Sequence, residues 1–141
     1  MRGFVLDASV TLAWAFREEL NAYTRGVLKR LQQSQAWVPS LWPLEVANAL
    51  LVAERRGRLN RGEMQRFLTF LQELPIAVEP LLRSRAFGDL IPLAREQGLS
   101  VYDAAYLDLA MRLALPLATQ DGALRAAASR VGVAIFGLST A

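Results

Sequence analysis

Four carboxylates stand where apolar runs give way to helical segments. Asp7 follows the run at residues 3–6, and Glu45 lies in the first turn of the helix after the run at 36–38. Asp103 opens the helix beginning at Ser100, and Asp121 follows the run at 117–119 in Thr119-Gln-Asp121. Singly, each has an ordinary structural role: an acid at a helix N-terminus accepts from free N–H groups and suits the helix dipole, worth about 0.5–2 kcal/mol. Gathered on one crevice, they would repel one another and raise one another's pKa unless a cation neutralised them. Oxygen donors without nitrogen or sulfur suit Mg²⁺ or Mn²⁺. Such an ion acidifies bound water and stabilises charge developing on a phosphoryl group. Ser9 and Thr119 place hydroxyls beside Asp7 and Asp121, and Asn48 lies one turn after Glu45 on the same helix face. Each of these three serves equally well as a local backbone cap.

The other acids act as controls. Asp108 is five residues past Asp103, about 140° away around the helix, so it should leave the site. Glu18, Glu19, Glu73, Glu79, Asp89 and Glu96 read as solvated, in turns or on exposed helix faces.

Acids must carry any chemistry because the alternatives are missing. Among 141 residues there is no cysteine and no histidine. That excludes disulfides, a thiol nucleophile, Cys- or His-ligated metals and Ser-His-Asp or His-His catalysis. The 53% apolar content and net charge of +3 exclude a disordered chain. The length suits one compact domain, residues 1–141. The longest uncharged stretch, residues 31–44, is too short and too polar to span a bilayer. Asp7 interrupts what would be the apolar core of a signal peptide, so a soluble, cytoplasmic protein with no membrane attachment is expected.

The elements that must position these acids alternate. Five runs read as strands, at 3–6, 36–38, 76–78, 117–119 and 133–136, none alternating polar with apolar. That is the pattern of strands covered on both faces of a parallel sheet. Helical periods fill the gaps: near 20–34, then after Pro43 with Leu44, Ala47, Leu50 and Leu51, then through Met64, Phe67, Leu68 and Leu71 up to Pro75. Three more are expected near 84–97, 102–114 and 122–130. Pro92 should kink or shorten the first of them, Gly98 should close it, and Ser100 to Asp103 has the form of a capping box. Strands alternating with helices predict a three-layer α/β/α domain, in which the ligand crevice lies beyond the carboxyl ends of the strands.

Of 16 basic residues, 15 are arginine, and Lys29 is the one lysine. Arg55, Arg56, Arg58, Arg61 and Arg66 fall within residues 54–66, whose charge of +3 equals the excess of the whole chain. Guanidinium favours bidentate contact with phosphates, though such clusters commonly decorate solvated helix ends.

The stretches Val5-Leu-Asp7-Ala-Ser9-Val10, Pro43-Leu-Glu45-Val-Ala-Asn48-Ala-Leu50, Leu99-Ser-Val-Tyr-Asp103-Ala-Ala-Tyr106-Leu107 and Pro116-Leu-Ala-Thr119-Gln-Asp121 together resemble the PIN-domain family, and within it the VapC toxins of type II toxin–antitoxin modules. The match runs over essentially the whole chain in the family's order and spacing. It implies a central five-stranded parallel sheet in the order 3-2-1-4-5 and a metal-dependent endoribonuclease. It further implies that Asp7, Glu45, Asp103 and Asp121 line a site for one or two Mg²⁺ or Mn²⁺ ions, supported by Ser9 and Thr119. Cleavage of RNA would leave a 3′-hydroxyl and a 5′-phosphate. A homodimer and a VapB-like antitoxin, inserting a peptide into the acidic groove, are implied as partners. On this reading Arg55, Arg56, Arg58 and Arg61, near the crevice rim, contact RNA, the antitoxin or the second subunit.

Other readings compete. Asp7-Ala-Ser9 weakly resembles phosphatases of the haloacid dehalogenase type, but those need a second Asp where Ser9 stands. They and receiver domains also need a lysine at a later strand end, whereas Lys29 lies in an early helix. No P-loop or dinucleotide glycine motif occurs. A non-catalytic PIN-like module that binds RNA or protein is the remaining alternative, and indifference to chelators would distinguish it.

Overall fold

The computed structural model describes residues 3–138. Its strands are β1 (Phe4–Leu6), β2 (Ala36–Pro39), β3 (Ile76–Glu79) and β4 (Leu117–Ala118). Its helices are α1 (Ala8–Ala13), α2 (Ala22–Leu31), α3 (Trp42–Arg55), α4 (Arg61–Gln72), α5 (Arg83–Arg85), α6 (Ile91–Gln97), α7 (Val101–Leu113) and α8 (Gly122–Val131). The strands form one parallel sheet in the order β3-β2-β1-β4, flanked by helices. α7 packs against β1, β2 and β4, while α1 packs against α2 and α3, and α3 against α4.

The short central strand explains why the sheet holds together. Every residue of β1 is buried, and it is paired on both sides, Val5 with Trp37 of β2 and with Leu117 of β4. Gly3 lets it enter: at φ +137° a Cβ there would stand 2.1 Å from the Gln35 carbonyl oxygen, so a side chain would push β1 off β2. Phe4, Leu6, Leu50, Tyr106, Leu107, Leu117 and Leu124 fill the core.

Three sequence expectations need correction. The fifth strand, expected at 133–136, is a single parallel bridge, Ile135 opposite Leu117. It lies on the β4 side, as the order 3-2-1-4-5 requires, and two bonds hold it, Leu117 N–H to the Ala134 carbonyl and Phe136 N–H to that of Leu117. Glycines in left-handed conformation at 132 and 137 leave little room between them for a longer ladder. Phe136 instead anchors this edge by stacking on Phe4, ring centroids 3.9 Å apart. The helix expected at 84–97 is not uniform: α5 runs into a π-helical segment, Ala86–Leu90, before α6. Pro92 sits in the first turn of α6, where its missing N–H costs nothing, and the wide turn before it contains Gly88, four residues back, whose carbonyl its ring would otherwise crowd. At Ser100 only half of the expected capping box forms: the hydroxyl accepts from Asp103 N–H at 3.0 Å, with no reciprocal bond from Asp103.

Candidate active site

The carboxyl ends of β1 and β4 and the N-termini of α3 and α7 meet around a cleft of about 400 Å³ lined by Asp7, Ser9, Leu12, Glu45, Asn48, Asp103 and Asp121. Four acids separated by as many as 114 residues (7 to 121) thus share one hollow with Ser9 and Asn48. Thr119 stands directly behind it. Among the described residues no lysine or arginine lines the cleft.

Whether each acid merely caps a helix can be read from its bonds. Asp7 occupies the N-cap of α1, yet its side chain makes no capping bond. Instead Ser9 and Thr119 donate their hydroxyls to Oδ2, at 2.8 and 2.7 Å, and no side-chain donor among the described residues binds Oδ1. Asp7 is 6% exposed. Asp121 does cap α8, Oδ2 accepting from Leu124 N–H at 2.8 Å. Its own N–H donates to the Thr119 hydroxyl at 3.1 Å, so Thr119 ties the two acids together. Asp103 is half-buried in the first turn of α7, where Ser100 does the capping. Glu45 is half-buried in the first turn of α3 and accepts a short hydrogen bond from the Tyr106 hydroxyl.

The electrostatics agree with that crowding. Burial, more than any other cause, holds Asp7 above the ordinary carboxylate range. The hydroxyls of Thr119 and Ser9 offset part of the shift and the charge of Asp121 adds to it. Burial also raises Asp103, and the charges of Asp7 and Asp121 push it further. Glu45 is raised by burial and by Asp7 and Asp103, against the Tyr106 bond, which favours its ionised form. Among the described residues no group of three or more acids is arranged to hold a metal ion as it stands.

Sequence reasoning missed Tyr106. Its ring is wholly buried on α7, and burial, with the neighbouring Glu45, pushes its phenol far above the usual tyrosine range. The available signal was a hydroxyl-bearing ring three residues after Asp103 inside an otherwise apolar run. Gln120 was missed too; its amide groups bond Ser9 and Asn21 across the β4 end.

The arginines expected near the rim sit around the turn between α3 and α4, and none of them lines the cleft itself. Arg58 binds Glu18 at 2.8 Å and covers the Phe16 ring at 4.2 Å, so its guanidinium serves the local fold. Arg55, Arg56 and Arg61 are exposed around the turn joining α3 to α4. Arg56 is eleven residues past Glu45 on nearly the same face of α3, about 16 Å along the axis. Of the acids read as solvated, Glu79 is the exception: it ends β3, half-buried, 4.0 Å from Arg112.

A PIN domain family model matches residues 4–129. Ribonuclease VapC3 from Pyrobaculum aerophilum is 32% identical over 117 residues, covering 83% of this chain and 88% of that protein. The crystal structure of PAE2754 from Pyrobaculum aerophilum superposes with a TM-score of 0.65 at 27% identity, over 89% of this chain and 84% of that one. With four acids at the carboxyl end of a parallel sheet and a family match over most of its length, the chain belongs to the PIN-domain family.

Proposed function

We propose that the protein is a metal-dependent endoribonuclease, the toxin of a type II toxin–antitoxin pair. The observation carrying this reading is the gathering of Asp7, Glu45, Asp103 and Asp121 in one cleft whose described lining holds no lysine or arginine. Carboxylates left unpaired in a half-buried hollow are tolerable when a cation joins them. The donor set, all oxygen, fits Mg²⁺ or Mn²⁺. The four acids would hold the ion, which when bound supplies Lewis-acid stabilisation of phosphoryl charge and an acidified water.

The chain's own residues prepare this chemistry. Ser9 and Thr119 both grip Oδ2 of Asp7 and so fix its rotamer at the cleft. Tyr106 holds one oxygen of Glu45 and leaves the other. Asp121 spends one oxygen on α8 and presents the second. Asn48 offers amide groups to a substrate without adding charge. Arg56 would meet the RNA backbone beyond the cleft, or a protein partner there.

Partners follow the same reading. A VapB-like antitoxin would occupy the acidic groove. Phe87, 67% exposed, with Ile91 four residues on, would offer apolar surface to a second copy in a homodimer. No helix among the described residues is long and apolar enough to cross a membrane, and a cytoplasmic site of action belongs to the proposal. The direct test is incubation with single-stranded RNA. Cleavage in Mg²⁺ or Mn²⁺ that stops with EDTA supports an enzyme; RNA bound but never cut, regardless of chelator, makes it a binding module.

A further inference from the structure

The acidic cleft runs on into a second hollow of about 300 Å³, walled by Leu41, Leu44, Glu45, Asn48 and Tyr102. Glu45 and Asn48 line both, so a chain laid over the carboxylates passes from one to the other without a gap. The walls of this hollow are apolar and in water: Leu44 is 74% exposed and Tyr102 66%. Each directly precedes a cleft acid, Leu44 before Glu45 in the first turn of α3 and Tyr102 before Asp103 in the first turn of α7. Side chains kept out of the core at this place are available to a ligand.

The chemistry of the walls narrows what that ligand is. Among the described residues neither hollow has a lysine or arginine in its lining, so these walls offer a phosphate chain no cation. Attachment next to the cleft must then come from the part of a nucleotide that carries no charge. An exposed phenol ring facing leucines suits the flat face of a base, and stacking of this kind serves single strands, whose bases are free to splay. Asn48 adds an amide able both to donate and to accept at a base edge. A peptide would find leucines and an aromatic equally, but the continuity with the carboxylates favours the nucleotide adjoining the one whose phosphate lies over them.

We propose that this hollow is a nucleobase subsite: Tyr102 stacks on the base of single-stranded RNA beside the scissile phosphate, Leu44 and Leu41 close the other side, and Asn48 meets its edge. The proposal rests on the ribonuclease reading above and deepens it to unpaired RNA.

The experiment is steady-state cleavage of a labelled single-stranded RNA in Mg²⁺, with the cut bond mapped first. Tyr102→Ala should raise KM roughly tenfold with little change in kcat, whereas Tyr102→Phe, which keeps the ring, stays within about twofold of wild type. Leu44→Ser, equally exposed, should raise KM less. When the nucleotides flanking the cut are replaced by abasic residues, the wild type and Tyr102→Ala should become equal. Equal KM values for Tyr102→Ala and wild type on intact RNA would overturn the subsite and leave the nuclease standing. The subsite falls equally if Tyr102→Ala loosens a protein partner and not RNA, because the hollow then belongs to that partner. Failure of the wild type to cut any RNA in Mg²⁺ or Mn²⁺ removes the nuclease reading, and the subsite with it.

Discussion

Asp103 and Asp108 lie five residues apart on α7 and have opposite surroundings. Asp108, 7% exposed, is gripped by Arg85 from α5 and by Arg112 one turn along its own helix at 2.9 Å, with Asp89 and Glu79 at the edge of the group. Asp103, half-buried, faces Asp7 and Asp121, and its pKa is raised by burial and then by those charges. A folded chain that only needed stability would neutralise both, since an unpaired carboxylate out of water is costly. It neutralises one. The carboxylate left unpaired is the one at the strand ends, in line with the proposal that the vacancy of charge there is made for a ligand.

The sharpest way to test that contrast is to neutralise one acid on each side. Asp7→Asn should lower Mg²⁺-dependent RNA cleavage by about a thousandfold or more, past the roughly 10–100-fold typical when only an outer partner of a metal site is lost. The fold should survive, because Asn can still accept from Ser9 and Thr119; in metal-free protein at neutral pH its melting midpoint should rise. Asp108→Ala should do the reverse. It removes the shared partner of two guanidinium groups that are about 30% exposed and keep Asp89 and Glu79 beside them, and should cost about 1–2 kcal/mol of stability, read by urea titration, with cleavage per folded molecule unchanged. Loss of activity in Asp108→Ala at full stability would erase the distinction between the two regions.

The same contrast has a pH signature. Asp7, Glu45 and Asp103 hold their protons more tightly folded than unfolded, chiefly through burial. Protonation therefore favours the folded state: the stability it contributes is complete below the ordinary carboxylate range and is lost as pH rises through the raised values. The melting temperature of metal-free protein should fall as pH rises above the ordinary carboxylate range, and Asp7→Asn should flatten that slope. Saturating Mn²⁺ should raise the melting temperature at pH 7, by about 2.7 kcal/mol of linkage at a hundred times its Kd.

These contrasts also mark how far the sequence could be read. Asp7 and Asp121 were legible because each follows an apolar run that ends at one edge of a parallel sheet, and Glu45 and Asp103 because each lies in the first turn of a helix. Helix α1 was not legible: Ala8, Val10, Thr11 and Ala13 are all buried, so it shows no polar face and no period. Residues 133–136 read as a strand from their apolar run, but strand length depends on the partner, and β4 itself is only two residues long. Asp108 was correctly placed outside the cleft by helix geometry, yet nothing local in sequence announces Arg85, 23 residues away, as its partner. The bond from Tyr106 to Glu45 spans 61 residues and was invisible for the same reason.

Tyr106→Phe tests that bond. The ring stays in the core, so stability should change little, while Glu45 loses its hold. Mn²⁺ affinity, measured by titration calorimetry, should fall roughly tenfold. Adding Glu45→Gln to Tyr106→Phe should cost less than it does alone, since the two act as one unit.

The smallest expected effect separates two arginines. Arg58 is bound to Glu18 and Glu19 and lies on Phe16, whereas Arg56 is exposed at the end of the α3 face that carries Glu45 and Asn48. If RNA runs along that face, Arg56 meets a phosphate and releases a counterion on binding, while Arg58 stays with its own acids. Affinity for single-stranded RNA measured over a range of salt should then lose about one in log–log slope for Arg56→Ala, uniformly across sequences. Arg58→Ala should leave the slope alone and show only as a slightly lower melting temperature. An unchanged slope for Arg56→Ala would move the RNA off α3 and leave this arginine cluster to a protein partner.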